Sequence, residues 1–209
     1  MNMIRIGLCG AGGTGKGTLA SAFHEKHPEV KVIPSTVQHV GELIAPKAGN
    51  YKEIPVAFKP SFQDMILAVQ GEAERTIASN GLDYISERSL ADFVPYMDRV
   101  LKEIYGRVNK KDHQNYVNRM MSYLKETPYT HIFFLPADDF EPDDTEDSSW
   151  KERDQLERIR TNEALRELLA EIGMECKIPV RILKGTVEER LASMEKAVYG
   201  EETNSVTHG

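Results

Sequence analysis

Cysteine is scarce in this sequence, which has only Cys9 and Cys176 among its 209 residues. Two cysteines cannot form a disulfide framework, and these two lack the clustered spacing of a zinc site. We therefore expect both to be buried free thiols, the common state of an unpaired cysteine.

Long apolar runs are also lacking. No stretch approaches the roughly 18 residues that a membrane span needs, and residues 1–10 show neither the charged lead nor the cleavage site of an export signal. With 40% hydrophobic and 28% charged residues, the composition is that of an ordinary globular protein. We expect a cytoplasmic chain without membrane contact, with one domain over residues 1–200 and a frayed tail at 201–209.

A basic excess is lacking too, because 26 Lys and Arg residues face 33 Asp and Glu residues, a net charge of −7. Long-range attraction to a nucleic acid is therefore weak, which favours a small-molecule partner. A nucleic acid stays open as an alternative, since four basic residues occur in one stretch: Arg107, Lys110, Lys111 and Arg119. No sequence feature indicates an oligomeric state.

Five short apolar runs, at 4–8, 30–33, 82–86, 132–135 and 180–183, predict buried strands. Helical periodicity at 62–79 is followed by the stop signal Asn80-Gly81, and helical periodicity at 156–172 is followed by Gly173. Parallel strands need crossover connections, so we expect an α/β fold with a five-stranded, mostly parallel sheet and helices on both faces. Ligands of such sheets bind beyond the carboxyl ends of the strands.

The strongest motif is a glycine-rich run between the first predicted strand and the first predicted helix. Its members are Gly10, Ala11, Gly12, Gly13, Thr14, Gly15, Lys16, Gly17 and Thr18. Glycines let successive N–H groups turn toward one anion, the helix N-terminus adds its positive dipole, and a lysine can bridge the outer phosphates. The motif predicts a three-layer P-loop NTPase fold that binds ATP with Mg²⁺ through these nine residues.

The position directly after the motif lysine departs from the commonest pattern, which has Ser or Thr there. Here it is Gly17, and the hydroxyl comes one residue later at Thr18. Thr18 is therefore the candidate for contact with phosphate, with Mg²⁺, or with a metal-bound water, a direct metal bond being left open.

Glu87 and Arg88 follow the third predicted strand. In a parallel sheet the end of that strand lies near the phosphate loop, where Glu87 could hold Mg²⁺ or accept the proton of an attacking hydroxyl. Arg88 could stabilise charge on the transferring phosphoryl group. The alternative is an exposed ion pair at a strand end, which would contribute little.

Seven acidic residues lie between 138 and 147, and Lys151, Arg153, Arg158 and Arg160 follow. We interpret residues 138–153 as a lid whose basic end closes on the phosphates, with Arg153 as the first candidate and Arg158 or Arg160 behind it. The alternative is a solvated loop followed by a charged helix face.

Local structure is also predicted for three further segments. Residues 36–61 contain three prolines and are predicted to be loop-rich, and residues 91–128 are predicted to form two or three helices. We expect both segments to lie on the acceptor side of the site. The last helix is predicted to begin at Thr186, whose hydroxyl can cap it while Glu189 reaches back.

These motifs resemble known kinase families. The run GxxGxGKGT is similar to the phosphate loop of adenylate kinases, and Glu87-Arg88-Ser89 after a strand resembles the motif of deoxynucleoside kinases. The spacing acid-Arg-Ser-x-x-Asp-x-x-x-Tyr, the FFLP run with its acidic loop, and the end GTVEERL resemble the nicotinamide riboside kinase-like group of P-loop ATPases. The resemblance covers about two thirds of the chain, without 36–61 and 97–128. It implies a kinase using ATP, and it places Thr186 beside the adenine ring.

The resemblance has two departures, Gly17 in place of a hydroxyl and Glu87 in place of the aspartate typical of riboside kinases. The leading hypothesis is a kinase that transfers the γ-phosphoryl group of ATP to a nucleoside or nucleotide-like acceptor, with Lys16, Glu87, Arg88 and Arg153 as catalytic residues. Two alternatives stay open. One is a kinase acting on the hydroxyl of a modified base in DNA, such as hydroxymethyluracil, which requires extrusion of that base. The other is an ATPase switch without a small acceptor.

Overall fold

The computed structural model describes residues 3–44, 59–139 and 153–200, which surround one parallel sheet. The sheet has five strands in the order β2-β3-β1-β4-β5. The bounds are β1 Arg5–Cys9, β2 Lys31–Ile33, β3 Tyr84–Ser86, β4 His131–Phe134 and β5 Val180–Ile182. Every neighbouring pair is parallel. The predicted α/β class and all five predicted strands are confirmed.

Seven helices occur within the described ranges and cover both faces of the sheet. Their bounds are α1 Lys16–Lys26, α2 Thr36–Ile44, α3 Pro60–Ser79, α4 Phe93–Tyr105, α5 Lys110–Glu126, α6 Arg153–Cys176 and α7 Val187–Tyr199. Successive strand side chains point to opposite faces, so each strand feeds two cores. Phe133 packs with α1 and α7, whereas Phe134 packs with the helices of the other face.

The beginning of the segment 36–61 is helical, contrary to the sequence prediction. Residues 36–61 were expected to be loop-rich, but residues 36–44 form helix α2, so the prediction is wrong there. The physical reason is an apolar helical face, since Val40 is fully buried in the core and Val37 packs against it. The prolines and glycine that suggested a loop begin only at Pro46, in the part 45–58 that lies outside the described residues.

The end of α6 also differs from the prediction. Gly173 was expected to stop this helix, but α6 continues to Cys176 and ends before Lys177, whose φ of 55° is left-handed. An added Cβ on Gly173 would make only ordinary van der Waals contact, 3.6 Å from the Ile178 carbonyl oxygen and from a Val180 methyl. Gly173 therefore lies inside the helix without a close approach that requires glycine.

The sequence also made predictions about the segment 91–128, the two cysteines and membrane spans. The segment 91–128 is helical, with α4 and α5 preceded by a 3-10 turn at Leu90–Asp92. Cys9 is a buried free thiol with a raised pKa caused mainly by burial, whereas Cys176 is free but only partly buried. Among the described helices, none is long and apolar enough to cross a membrane. The predicted tail at 201–209 and most of the predicted lid, 140–152, lie outside the described residues.

Candidate functional site

The glycine-rich run forms the connection from β1 to α1, at the carboxyl edge of the sheet. Gly13 and Gly15 have φ values of 70° and 79°, in the left-handed region that glycine reaches without steric cost. Gly10 lies against the carbonyl oxygen of Leu135 at the end of β4, where a Cβ would collide. The loop can therefore curl tightly around the start of α1, with its N–H groups and the helix dipole available to an anion.

Lys16 begins α1 and points back into the loop. Its side chain is 6% exposed, and Nζ donates to the carbonyl oxygens of Gly10 at 2.5 Å and Ala11 at 2.8 Å. The ammonium group also faces Asp92, with Nζ 3.6 Å from Oδ2. A buried ammonium group needs such partners, because an unpaired buried charge is costly.

Asp92 is the anchor of the phosphate loop and is fully buried. Its Oδ1 accepts a hydrogen bond from the Gly10 N–H at 2.9 Å, while Oδ2 faces the Lys16 ammonium group and accepts no hydrogen bond from the described residues. One carboxylate thus fixes both the first amide and the lysine of the loop. Sequence reasoning noted Asp92 only as part of a spacing and assigned it no role.

The two hydroxyls of the loop differ in exposure. Thr14 is buried and donates from Oγ1 to the Ala11 carbonyl oxygen at 3.0 Å, so it stabilises the loop. Thr18 lies exposed on the first turn of α1, where its side chain faces solvent at the mouth of the loop. This position is compatible with the predicted contact of Thr18 with phosphate or a metal-bound water, which stays a prediction.

Glu87 stands directly after β3, beside the start of α1. Its backbone N–H donates to the Ile33 carbonyl oxygen at 2.9 Å, and its Oε2 accepts from the Ser35 N–H at 3.1 Å. Oε1 lies over Gly17, 2.8 Å from where a Cβ of that residue would be. The structure therefore brings Glu87 to the phosphate loop, as the sequence predicts, and Glu87 is not a solvated surface residue.

Arg88, the next residue, is held against an aromatic ring beside the loop. Its guanidinium carbon is 5.2 Å from the centre of the Tyr96 ring, a cation–π contact. The Tyr96 hydroxyl in turn lies 3.9 Å from the Cβ position of Gly12, so the ring connects Arg88 to the outer part of the loop. Arg88 is half-buried and held near the expected position of the phosphates.

A buried polar network supports the ends of β3 and the turn that carries Asp92. At its centre Glu74 Oε1 accepts hydrogen bonds from Gln70 Nε2 at 2.9 Å, Ser86 Oγ at 2.6 Å and Tyr129 OH at 2.8 Å. Tyr129 OH also accepts from the Leu90 N–H at 3.0 Å. Burial raises the pKa of Glu74 to about 7, against the lowering effect of these three donors.

The structure describes the side chains of two of the three predicted lid arginines. Arg153 starts α6, but its side chain lies outside the described part of the chain, so its assignment stays a prediction. Arg160 forms an exposed pair with Glu157 at 3.0 Å. In Arg158, by contrast, Nε and Nη2 are buried and donate to no residue of the described ranges.

Arg158 lies one helical turn before Asn162, and Asn162 is fixed near the end of β4. Asn162 Oδ1 accepts from the Ala137 N–H at 3.0 Å, and α6 packs against the turn Leu90–Asp92. The start of α6 is thereby held over the carboxyl edge of the sheet. Of the two candidates whose side chains the structure describes, Arg158 is the one with buried donors that a bound anion could satisfy.

Thr186 is the N-cap of α7. Its Oγ1 accepts from the Glu189 N–H at 3.3 Å, and its own N–H donates to Glu189 Oε2 at 2.8 Å. This confirms the predicted capping box. The cap accounts for the side chain of Thr186, and its proposed place beside an adenine ring stays a prediction.

The carboxylate of Glu87 suits Mg²⁺ that is bound together with a nucleotide. Within the described residues no group of three or more His, Cys, Asp or Glu side chains could cage a metal. Mg²⁺ is usually held by one or two carboxylates, waters and substrate phosphates, which is the donor set that Glu87 at the mouth of the loop would complete.

Comparisons with known proteins agree with this geometry. The profile of the AAA domain family matches residues 5–190. No curated protein matches the sequence at a significant level.

Solved structures share the fold at low sequence identity. A deoxyadenosine kinase from M. mycoides with bound dATP superposes with a TM-score of 0.63 and 14% identity, covering 94% of this chain and 100% of that chain. The structure of that enzyme with the products dcmp and a flexible dcdp gives 0.58 and 17%, covering 94% and 99%. A thymidylate kinase from Candida albicans gives 0.52 and 14%, covering 94% and 92%. These matches confirm the predicted three-layer P-loop fold.

Proposed function

The chain belongs to the AAA domain family, and from that premise we propose that it is an ATP- and Mg²⁺-dependent kinase that phosphorylates a nucleoside or nucleotide. The observation that carries the proposal is the convergence of Lys16, Asp92 and Glu87 on the glycine-rich loop. The fold shared with deoxyadenosine and thymidylate kinases supports the same acceptor class. The likeness to the riboside kinase-like group supports the chemistry and not a particular acceptor.

ATP binding requires a rearrangement of Lys16. Its ammonium group now donates to the Gly10 and Ala11 carbonyl oxygens, and in the complex it would exchange them for the β- and γ-phosphates. Asp92 would remain behind as a buried carboxylate that faces the lysine and keeps the Gly10 amide oriented. The Gly10 N–H stays on Asp92, and the loop amides from Ala11 to Thr18 would supply the other contacts to phosphate.

The remaining groups act on the transferring phosphoryl group. Bound Mg²⁺ neutralises charge on the phosphate oxygens. Glu87, fixed beside Gly17 of the loop, would hold the metal or accept the proton of the acceptor hydroxyl, and Arg88, held against Tyr96, would stabilise charge on the transferring group. From α6, Arg158 offers buried donors for the charge that develops during transfer, and Arg153 is placed at the start of the same helix.

A labelled-phosphate screen tests this function. ATP labelled at the γ-phosphate is incubated with deoxynucleosides, ribonucleosides, nucleoside monophosphates, nicotinamide riboside and DNA containing hydroxymethyluracil. We expect label in a small acceptor, its loss in Lys16→Ala, and full activity in Lys26→Ala, a control on the exposed end of the same helix.

Other outcomes identify the alternatives. Label in the polymer alone would favour the DNA kinase, although Arg119 of the basic stretch is already paired with Asp64. ATP consumption that no acceptor changes would favour the ATPase switch. Undiminished transfer by Lys16→Ala would overturn the assignment of the loop.

A further inference from the structure

The hydroxyl of Tyr129 caps a turn in another part of the chain. Leu90 is the first residue of the 3-10 turn Leu90–Asp92, and the N–H group of a first helical residue has no partner inside its own turn. Ser89, at the N-cap position, makes no side-chain cap bond. The N–H of the buried Leu90 donates instead to the Tyr129 hydroxyl at 3.0 Å, across 39 residues of sequence. The turn therefore takes from this tyrosine the hydrogen bond that its own cap residue does not supply.

The side chain of Tyr129 is held in place at both its hydroxyl and its ring. The hydroxyl donates to Glu74 Oε1 at 2.8 Å. Burial raises the pKa of this hydroxyl well above its usual range, so it keeps its proton and donates while it accepts from the turn. The ring lies against β1, where an added Cβ on Gly7 would be 3.0 Å from Cε2 of the ring and 3.0 Å from Ser89 Cβ. Glycine at position 7 thus leaves the room in which the ring reaches the turn.

The turn that Tyr129 caps also holds the phosphate loop. Asp92, two residues after Leu90, accepts from the Gly10 N–H at 2.9 Å, and its Oδ2 lies 3.6 Å from Lys16 Nζ. We infer that Tyr129 is a positioning residue of the nucleotide site, whose hydroxyl holds Asp92 in place against the first amide and the lysine of the phosphate loop. This inference rests on the proposed function and deepens it, since it extends the phosphate site to a residue outside the loop.

Tyr84 offers a matched control for this role. Its ring packs edge-on against the Tyr129 ring with the ring centres 6.5 Å apart, and it is also buried. Its hydroxyl, however, has no hydrogen-bond partner among the residues that the structure describes. Tyr129→Phe and Tyr84→Phe therefore remove the same atom from the same part of the core, and only the first change leaves the buried Leu90 N–H unpaired.

Two measurements separate positioning from a general contribution to the core. Calorimetry gives the affinity of each protein for a non-hydrolysable ATP analogue with Mg²⁺. NMR gives the hydrogen exchange rate of the Gly10 amide in the nucleotide-free protein, with the Phe133 amide of β4 as the reference for unfolding of the whole core. The Gly10 amide is bonded to Asp92 and not to Tyr129, so its exchange reports the position of that carboxylate. Circular dichroism checks that each variant is folded at the temperature used.

We expect Tyr129→Phe to weaken analogue binding about tenfold, because a buried N–H without a partner destabilises the capped turn. The Gly10 amide should exchange about tenfold faster relative to the Phe133 amide. Tyr84→Phe should stay within about twofold of the parent protein in both measurements. Gly7→Ala keeps the Tyr129 hydroxyl but presses a methyl group against its ring, and it should weaken binding about threefold or more.

Parent-like binding by folded Tyr129→Phe would overturn the inference, and so would equal losses in the two tyrosine variants. If Tyr129→Phe does not fold, Gly7→Ala decides, and parent-like binding by that variant would overturn the inference. A parent protein that binds no analogue would refute the proposed function. The relative exchange of the Gly10 amide would even then decide whether Tyr129 positions the loop.

Discussion

The buried carboxyl group of Glu74 makes stability depend on pH in a direction that can be worked out from the structure. Burial raises its pKa from 4.5 in an unfolded chain to about 7 in the folded protein. Between these values the folded state holds a proton that the unfolded state has released. Stability from this group is therefore fully present below pH 4.5 and is lost as the pH rises to about 7.

The size of the stability loss follows from the difference between these two pKa values. The pKa values differ by roughly two and a half pH units, and each unit corresponds to about 1.4 kcal/mol, so the loss amounts to about 3 kcal/mol. The structural reason is that Oε1 has three donors, whereas the buried Oε2 has no partner in the described part of the chain. Ionisation puts charge on an oxygen that nothing solvates.

Glu74→Gln isolates this contribution, because glutamine keeps the shape and an acceptor oxygen but does not titrate. Urea denaturation followed by circular dichroism gives the free energy of unfolding of both proteins at pH 5, 6, 7 and 8. We expect the variant to gain roughly 2 to 3 kcal/mol relative to the parent between pH 5 and pH 8, because part of the loss has already occurred at pH 5. Other titrating groups cancel in this difference.

Glu72→Gln is the matched control on α3, where the carboxylate is 50% exposed and paired with Arg75. Its difference from the parent should stay nearly constant over the same pH range, because a solvated carboxylate has no burial cost. A constant difference for Glu74→Gln as well would refute the account of the buried network.

Two further variants test the site, and each is compared with a control variant. Asp92→Ala should lower the free energy of unfolding by about 3 kcal/mol, because it leaves Lys16 without its buried counter-charge. Asp64→Ala, which removes a partner from an exposed pair, should cost less than about 1 kcal/mol by the same denaturation, and equal losses would contradict the anchoring role. Arg158→Met should lower kcat/KM for ATP about tenfold or more, while Arg160→Met should stay within about twofold. Similar kinetics of the two arginine variants would remove Arg158 from the site.

Much of the fold follows from local sequence signals. The strands are short apolar runs, and the phosphate loop and the Thr186 cap are local motifs, so each was predicted close to its observed position. Helix α2 was missed because the prolines further along the chain suggested a loop. Its apolar face is short, and its role is seen only in the packing of Val40 into the core. Gly173 misled because glycine is only a statistical marker of a helix end, and this glycine lies inside α6.

The site was predicted where its chemistry lies within a motif and missed where it depends on contacts across the chain. Lys16 follows β1 through the phosphate loop and Glu87 follows β3, and these two strands are neighbours in the sheet. Asp92 is 82 residues from the Gly10 amide it accepts from, and its role appears only when the turn after β3 folds beneath the loop. The available signal in the sequence was the aspartate three residues after Ser89. The contact between Glu87 and Gly17 could not be read from either residue alone.

The most direct test of the central claim is calorimetric titration of ATP with Mg²⁺ into the parent protein, Lys16→Ala and Lys26→Ala. We predict saturable binding to the parent and to Lys26→Ala, and binding to Lys16→Ala weaker by about tenfold or more. No binding to the parent, or equal binding to all three proteins, would contradict a phosphate loop built on Lys16.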